Sequence, residues 1–178
     1  MPEAPPGPLL SAAQVARLAA AARLPGPLAM VRVADAIGAE ATGHRLCTAM
    51  RFDAAGMTVQ RLYSSDPLAY PVGGAKPKCD TAWGRQVLLE RRLYCGQGAE
   101  DLSRDFADHA VILGLGLRSV VNVPIVAGGE CLGTLNFLWS EERVGPIQVA
   151  LAELLGLIVT PDWLPRSIVR GTEALLAD

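Results

Sequence analysis

The chain has 178 residues, of which 51% are hydrophobic and 19% charged, with a formal net charge of −2. This length suits one domain of about 150 residues plus a tail, and the apolar share excludes a disordered chain. A near-neutral balance excludes a protein built mainly to grip nucleic acid, which needs a basic face.

Membrane insertion is excluded on similar grounds. No apolar run approaches the ~20 residues of a membrane-spanning helix. The start Met1-Pro2-Glu3-Ala4 lacks the basic-then-apolar pattern of a signal peptide, so a cytoplasmic protein is expected. Cys47, Cys79, Cys95 and Cys131 form no CxxC pair and read as separate reduced thiols.

In chain order, residues 1–10 carry four prolines and are predicted to be a flexible arm. Ser11-Ala-Ala-Gln14 has the form of a capping box and opens a helix that Pro25-Gly26-Pro27 stops. Pro27 suits the first turn of a second helix to about Ala41. The period then changes from helical to alternating. Leu46–Phe52 and Met57–Tyr63, joined by Asp53-Ala54-Ala55-Gly56, read as a β-hairpin. Ser64–Asp80 is predicted to be a long loop, a length that is often functional. A helix over Thr81–Arg92, a short strand over Leu93–Cys95, a loop over Gly96–Asp101 and a short helix over Phe106–Leu115 follow. Ser119–Val126 and Cys131–Trp139 form a second hairpin, with Pro124 restricted to an edge, a bulge or a spot where its missing N–H is unneeded. Pro146 opens a nearly all-apolar helix to Ile158, and Pro161–Pro165 breaks the chain before a tail with a last short helix. Two hairpins among helices predict an α+β fold with antiparallel pairing.

Three stretches together resemble a GAF domain, a small-ligand sensing module related to PAS domains. They are the helix followed by the first hairpin, the segment from Thr81-Ala-Trp-Gly84 to Tyr94, and Arg118–Phe137 with its apolar-Pro-apolar, Gly-turn, apolar-Gly-apolar strand pair. The resemblance covers roughly residues 28–160. It implies a single domain over 11–160 with an extra N-terminal helix, and a tail over 161–178. Its fold would be a five- or six-stranded antiparallel sheet with terminal helices on one face. Pocket-forming loops and short helices, roughly 64–80 and 96–118, would lie on the other. It also implies homodimerisation through the terminal helices, a small-molecule ligand, and a separate downstream signalling protein, since no output motif follows.

The ligand-binding residues expected from these segments are the rings Tyr63, Tyr70, Trp83 and Phe106, with His109, Asn122 and Asn136. Amphipathic rings offer an apolar body and a polar handle, and amides in apolar strands need a partner. Asn122 and Asn136 could take either a ligand or neighbouring backbone as that partner. His109 lies four residues after Asp105, a spacing that places both on one face of a helix. Lys76 and Lys78, the chain's two lysines, could draw an anion to the pocket mouth.

No metal, cofactor or catalytic residue is expected. Phe137-Leu-Trp-Ser-Glu141-Glu142 mimics only half of the family's cyclic-nucleotide signature, and no Cys-His pair suits a covalent bilin. The resemblance leaves two alternatives: thiol chemistry like that of free methionine sulfoxide reductases, at Cys79 or Cys95, or a purely dimerising module.

Overall fold

The computed structural model of the protein describes residues 7–25 and 28–164. Residues 1–6 of the expected arm, Pro27, and the helix expected in the tail after Pro165 lie outside the described residues.

The sheet grows outward from the two hairpins. Strands β1 (Leu46–Asp53) and β2 (Thr58–Ser64) form the first, β5 (Ser119–Ala127) and β6 (Glu130–Trp139) the second. They join through antiparallel pairing of β1 with β6, as in Thr48 opposite Asn136. Two short strands complete the edges, β3 (Gly73–Pro77) beside β2 and β4 (Tyr94–Gln97) beside β5. The order β3-β2-β1-β6-β5-β4 is that of a six-stranded antiparallel α+β sheet.

Alternation along the central strands sends residues to two cores. Cys47, Ala49, Val121, Leu135 and Phe137 face helices α1 (Ala12–Ala21), α2 (Ala29–Thr42) and α5 (Pro146–Val159). Leu46, Val120 and Leu138 face the opposite layer. That layer consists of a π-helical segment (Gly84–Leu89) and helices α3 (Gly98–Asp105) and α4 (His109–Gly114). The terminal helices thus occupy one face and the short elements the other.

Helix starts show how local chemistry sets the ends. Ser11 and Gln14 make the expected capping box on α1. Helix α2 begins at Ala29, after Leu28 in a left-handed conformation (φ 62°) that gives no side-chain cap. Its free amide at Val31 is met from far along the chain: Asp162 Oδ2 accepts from Val31 N at 3.1 Å. A carboxylate there also suits the positive end of the helix dipole. The terminal 3₁₀ turn Thr160–Trp163 that carries Asp162 buries Trp163, whose Nε1 donates to the Met50 carbonyl at 3.0 Å. Trp163 packs into the same core as the terminal helices.

Three expectations need correction. The stretch 64–80 is not all loop, because 73–77 pairs with β2 as an edge strand. The stretch 96–101 is largely the start of α3, which ends at Asp105. The helix predicted over Thr81–Arg92 is shorter, and its 84–89 portion is π-helical.

Candidate functional site

Between the sheet and the short elements lies a cleft of about 550 Å³, counting the open space at its mouth. Its floor is built by strand register. Asn122 on β5 stands opposite Asn136 on β6, which stands opposite Thr48 on β1. All three side chains rise on the same face, and a polar relay runs across them. Trp83 Nε1 donates to Asn122 Oδ1 (2.8 Å), and Asn122 Nδ2 donates to Asn136 Oδ1 (2.7 Å). Asn136 Nδ2 in turn donates to Thr48 Oγ1 (3.1 Å) and to the Thr48 carbonyl (3.3 Å). The partners of the two buried amides are thus one another, the Trp83 indole and the Thr48 hydroxyl, with one bond to backbone.

Apolar side chains fill the rest of the floor and one wall, among them Leu46, Met50, Val59, Phe106, Ile112 and Leu138. The other wall is charged. Arg61 from β2, Lys76 from β3, Lys78 just beyond it and Asp108 before α4 all line the cleft. Lys76 Nζ pairs with Asp108 Oδ2 at 3.1 Å, and the Tyr70 hydroxyl donates to the same oxygen at 3.3 Å. Burial pushes the Asp108 carboxyl upward, but Lys76 and Lys78 outweigh it and hold the group below the usual carboxylate range. The Tyr70 hydroxyl is pushed up by burial and by Asp108. Burial also lowers the Lys78 ammonium and the Arg61 guanidinium from their ordinary values.

Of the expected binding residues, Tyr70, Trp83, Phe106, Asn122 and Asn136 come together in this cleft. Tyr63 and His109 do not. Tyr63 stands opposite Ala49 while Arg61 stands opposite Met50, so two steps on β2 answer one on β1. This bulge at Leu62 reverses the alternation and turns Tyr63 to the helix face. There its hydroxyl donates to Asp35 Oδ2 at 2.5 Å, while His44 Nε2 donates to Asp35 Oδ1 at 2.7 Å. Cys47 lies beside this group, and its thiol is pushed well up by burial and by Asp35.

His109 lines an adjoining surface hollow with Asp105 and Arg104, which shares Trp83 and Phe106 with the cleft, and its Nδ1 donates to the Phe106 carbonyl at 2.8 Å. The helix expected to unite Asp105 and His109 is broken: Asp105 ends α3 and His109 begins α4. Asp105 instead accepts from Tyr94 at 2.6 Å.

Sequence reasoning missed Arg61 and Asp108. Arg61 was open to detection, because it alternates with Val59 on a half-buried strand. Asp108 carried no such signal; only the fold brings it to Lys76.

None of the cysteines lines the cleft. Cys79 is exposed, and burial pushes the Cys95 and Cys131 thiols up, away from the reactive thiolate form.

No family model and no curated protein matches the sequence. Solved structures do match. The GAF domain of a phosphoenolpyruvate-protein phosphotransferase (ptsP) from Coxiella burnetii superposes with a TM-score of 0.69 at 14% identity, covering 91% of this chain and 95% of that one. The corresponding GAF domain from Acinetobacter gives 0.66 at 11% identity, covering 95% and 99%. Free methionine-R-sulfoxide reductase from Neisseria meningitidis, solved with its substrate, gives 0.66 at 16% identity, covering 89% of each chain. The likeness is one of fold: the chain has the GAF architecture.

Proposed function

We propose that this GAF-fold chain is a non-catalytic sensory domain that binds a small organic ligand in the cleft and signals to a separate partner protein. The observation that carries the reading is the cleft itself. Its floor is the central sheet and its walls come from elements far apart in sequence, so one bound molecule would touch β1, β2, β5, β6 and Trp83 at once. The route outward follows the strands. Thr48 and Asn136 face the cleft, while their neighbours Cys47 and Phe137 pack toward the terminal helices. A shift of either strand under a ligand is felt on the other face, because packed interiors transmit strain.

Those helices also carry the proposed homodimer. On α5 the exposed Ile147 and Leu157 bracket the half-buried Ala150 and Leu154. The 3-4-3 spacing of these positions makes one seam along the helix. Thiol chemistry is the weaker reading, since the cleft holds no cysteine.

Thermal-shift screening of the full chain against small metabolites tests the ligand reading. The expected result is a compound that raises Tm of the wild type and not of Met50→Trp, whose indole would fill the cleft. A library without any stabiliser, or one whose hits ignore Met50→Trp, would contradict it.

A further inference from the structure

We propose that the cleft selects a small organic carboxylate with a compact apolar body, its acid group paired with Lys78 and Arg61. This rests on the ligand-binding reading above and narrows it to one chemical class.

The argument begins with charge. Four charged side chains line the cleft: Arg61, Lys76, Lys78 and Asp108. Asp108 is already committed to Lys76 at 3.1 Å. Lys78 and Arg61 form no ion pair among the described residues; aromatic rings hold them instead. Lys78 Nζ lies 4.9 Å from the centre of the Trp83 ring, and the Arg61 guanidinium carbon 4.5 Å from that of Tyr70. A cation resting on a ring is positioned without being neutralised. The same rings are themselves anchored, Trp83 to Asn122 and Tyr70 to Asp108. Arg61 is further fixed by donating Nη1 to the Pro71 carbonyl at 3.0 Å, while its Nε is buried with no acceptor among the described residues. A buried donor without an acceptor is uncommon in native proteins and marks a place for one. Asp108 also acts through space on Lys78 and Arg61, but one carboxylate among three cations leaves this wall net positive, which suits one further carboxylate whose oxygens accept charge-assisted bonds from Lys78 and Arg61.

The floor sets the remainder of the ligand. The oxygens of Asn122 and Asn136 are occupied by Trp83 and by Asn122 respectively. The relay therefore offers little to a sugar or polyol, which needs many free partners. Met50, Val59, Ile112 and Leu138 instead present an apolar surface.

The test is calorimetric titration and ¹H–¹⁵N spectroscopy of the full chain with benzoate and hexanoate. Their neutral counterparts benzamide and hexanamide, and phenyl phosphate, serve as comparisons. The acids are expected to bind at least roughly tenfold more tightly than the amides and to shift the Trp83 indole resonance. Lys78→Met is expected to weaken benzoate roughly tenfold, and Lys78→Arg to retain most of the affinity. Added salt is expected to weaken the acids alone. Amides binding as tightly as acids, phenyl phosphate binding much more tightly than benzoate, or an unchanged Lys78→Met would overturn the carboxylate class while leaving a ligand site. A folded protein whose cleft resonances respond to none of these compounds would overturn both.

Discussion

The Trp83 indole donates its Nε1–H to Asn122 Oδ1 at 2.8 Å, which ties the helical wall of the cleft directly to the floor of the sheet. Trp83 precedes the π-helical segment, and Asn122 lies mid-strand on β5. Both are buried, so each polar atom depends on the other. Asn122→Leu strands two groups at once, the indole N–H and Asn136 Oδ1. A loss of about 2–4 kcal/mol in urea denaturation is expected. In the double variant Asn122→Leu/Asn136→Leu fewer groups are left without partners, so its loss is expected to fall well short of the sum of the singles. Simple additivity would show that the relay does not act as a unit.

Gly84 is a spacing device for the same wall. A Cβ at this position would lie 2.3 Å from the Lys78 carbonyl oxygen and 2.7 Å from Thr81 Oγ1. Backbone cannot yield as a flexible side chain can, so Gly84→Ala should displace the turn that carries Lys78. A stability loss of about 1–3 kcal/mol is expected, the usual range for overpacking. It should come with altered chemical shifts at Lys78 and Trp83. An unchanged spectrum would show that the contact is not needed.

The charged wall has a pH signature. The Asp108 carboxyl is held below its ordinary value in the folded chain. Its contribution is therefore fully present above about pH 4, the unfolded value, and is lost as pH falls through the lower folded value. Asp108→Asn should flatten that part of the acid limb in a stability–pH series. Lys78 has the opposite sign: burial lowers its ammonium, so at neutral pH the fold bears the cost of holding a charge out of water. That cost fades as pH rises through the lowered value. Lys78→Met should keep or raise Tm at pH 7, the trade expected where a site gives up stability for function. A clear drop in Tm would contradict this.

The α5 seam is tested by charge. Ile147 and Leu157 are 61% and 71% exposed, so replacing them disturbs little of the monomer's own core. The wild type is expected to be a dimer by light scattering, and Ile147→Lys/Leu157→Lys a folded monomer. A wild-type monomer at tens of micromolar would remove the dimer from the account.

Much of the fold was legible because long elements carry strong periodicity. Both hairpins, α1, α2 and α5 follow from apolar spacing and from the Ser11–Gln14 cap. The elements that escaped are short and weakly patterned. Gly73-Gly74-Ala75-Lys76-Pro77 has no β-branched residue, and becomes a strand only because β2 offers it an edge. Helix α3 buries Leu102 alone, too little to show a period. The site was legible where residues follow strict alternation, as Asn122 and Asn136 do. Tyr63 was misplaced because one bulge residue, Leu62, shifts the register by one step, and such a step moves a side chain to the other face. Asp108 joins the cleft through contacts with Tyr70 and Lys76, 38 and 32 residues away, which no local pattern encodes.

A crystal structure of the full chain with a compound found by thermal shift tests the central claim most directly. The account predicts the ligand on the Asn122–Asn136 floor, against Trp83, with any acid group at Lys78 and Arg61. A ligand seated instead in the hollow beside His109 and Asp105 would contradict it.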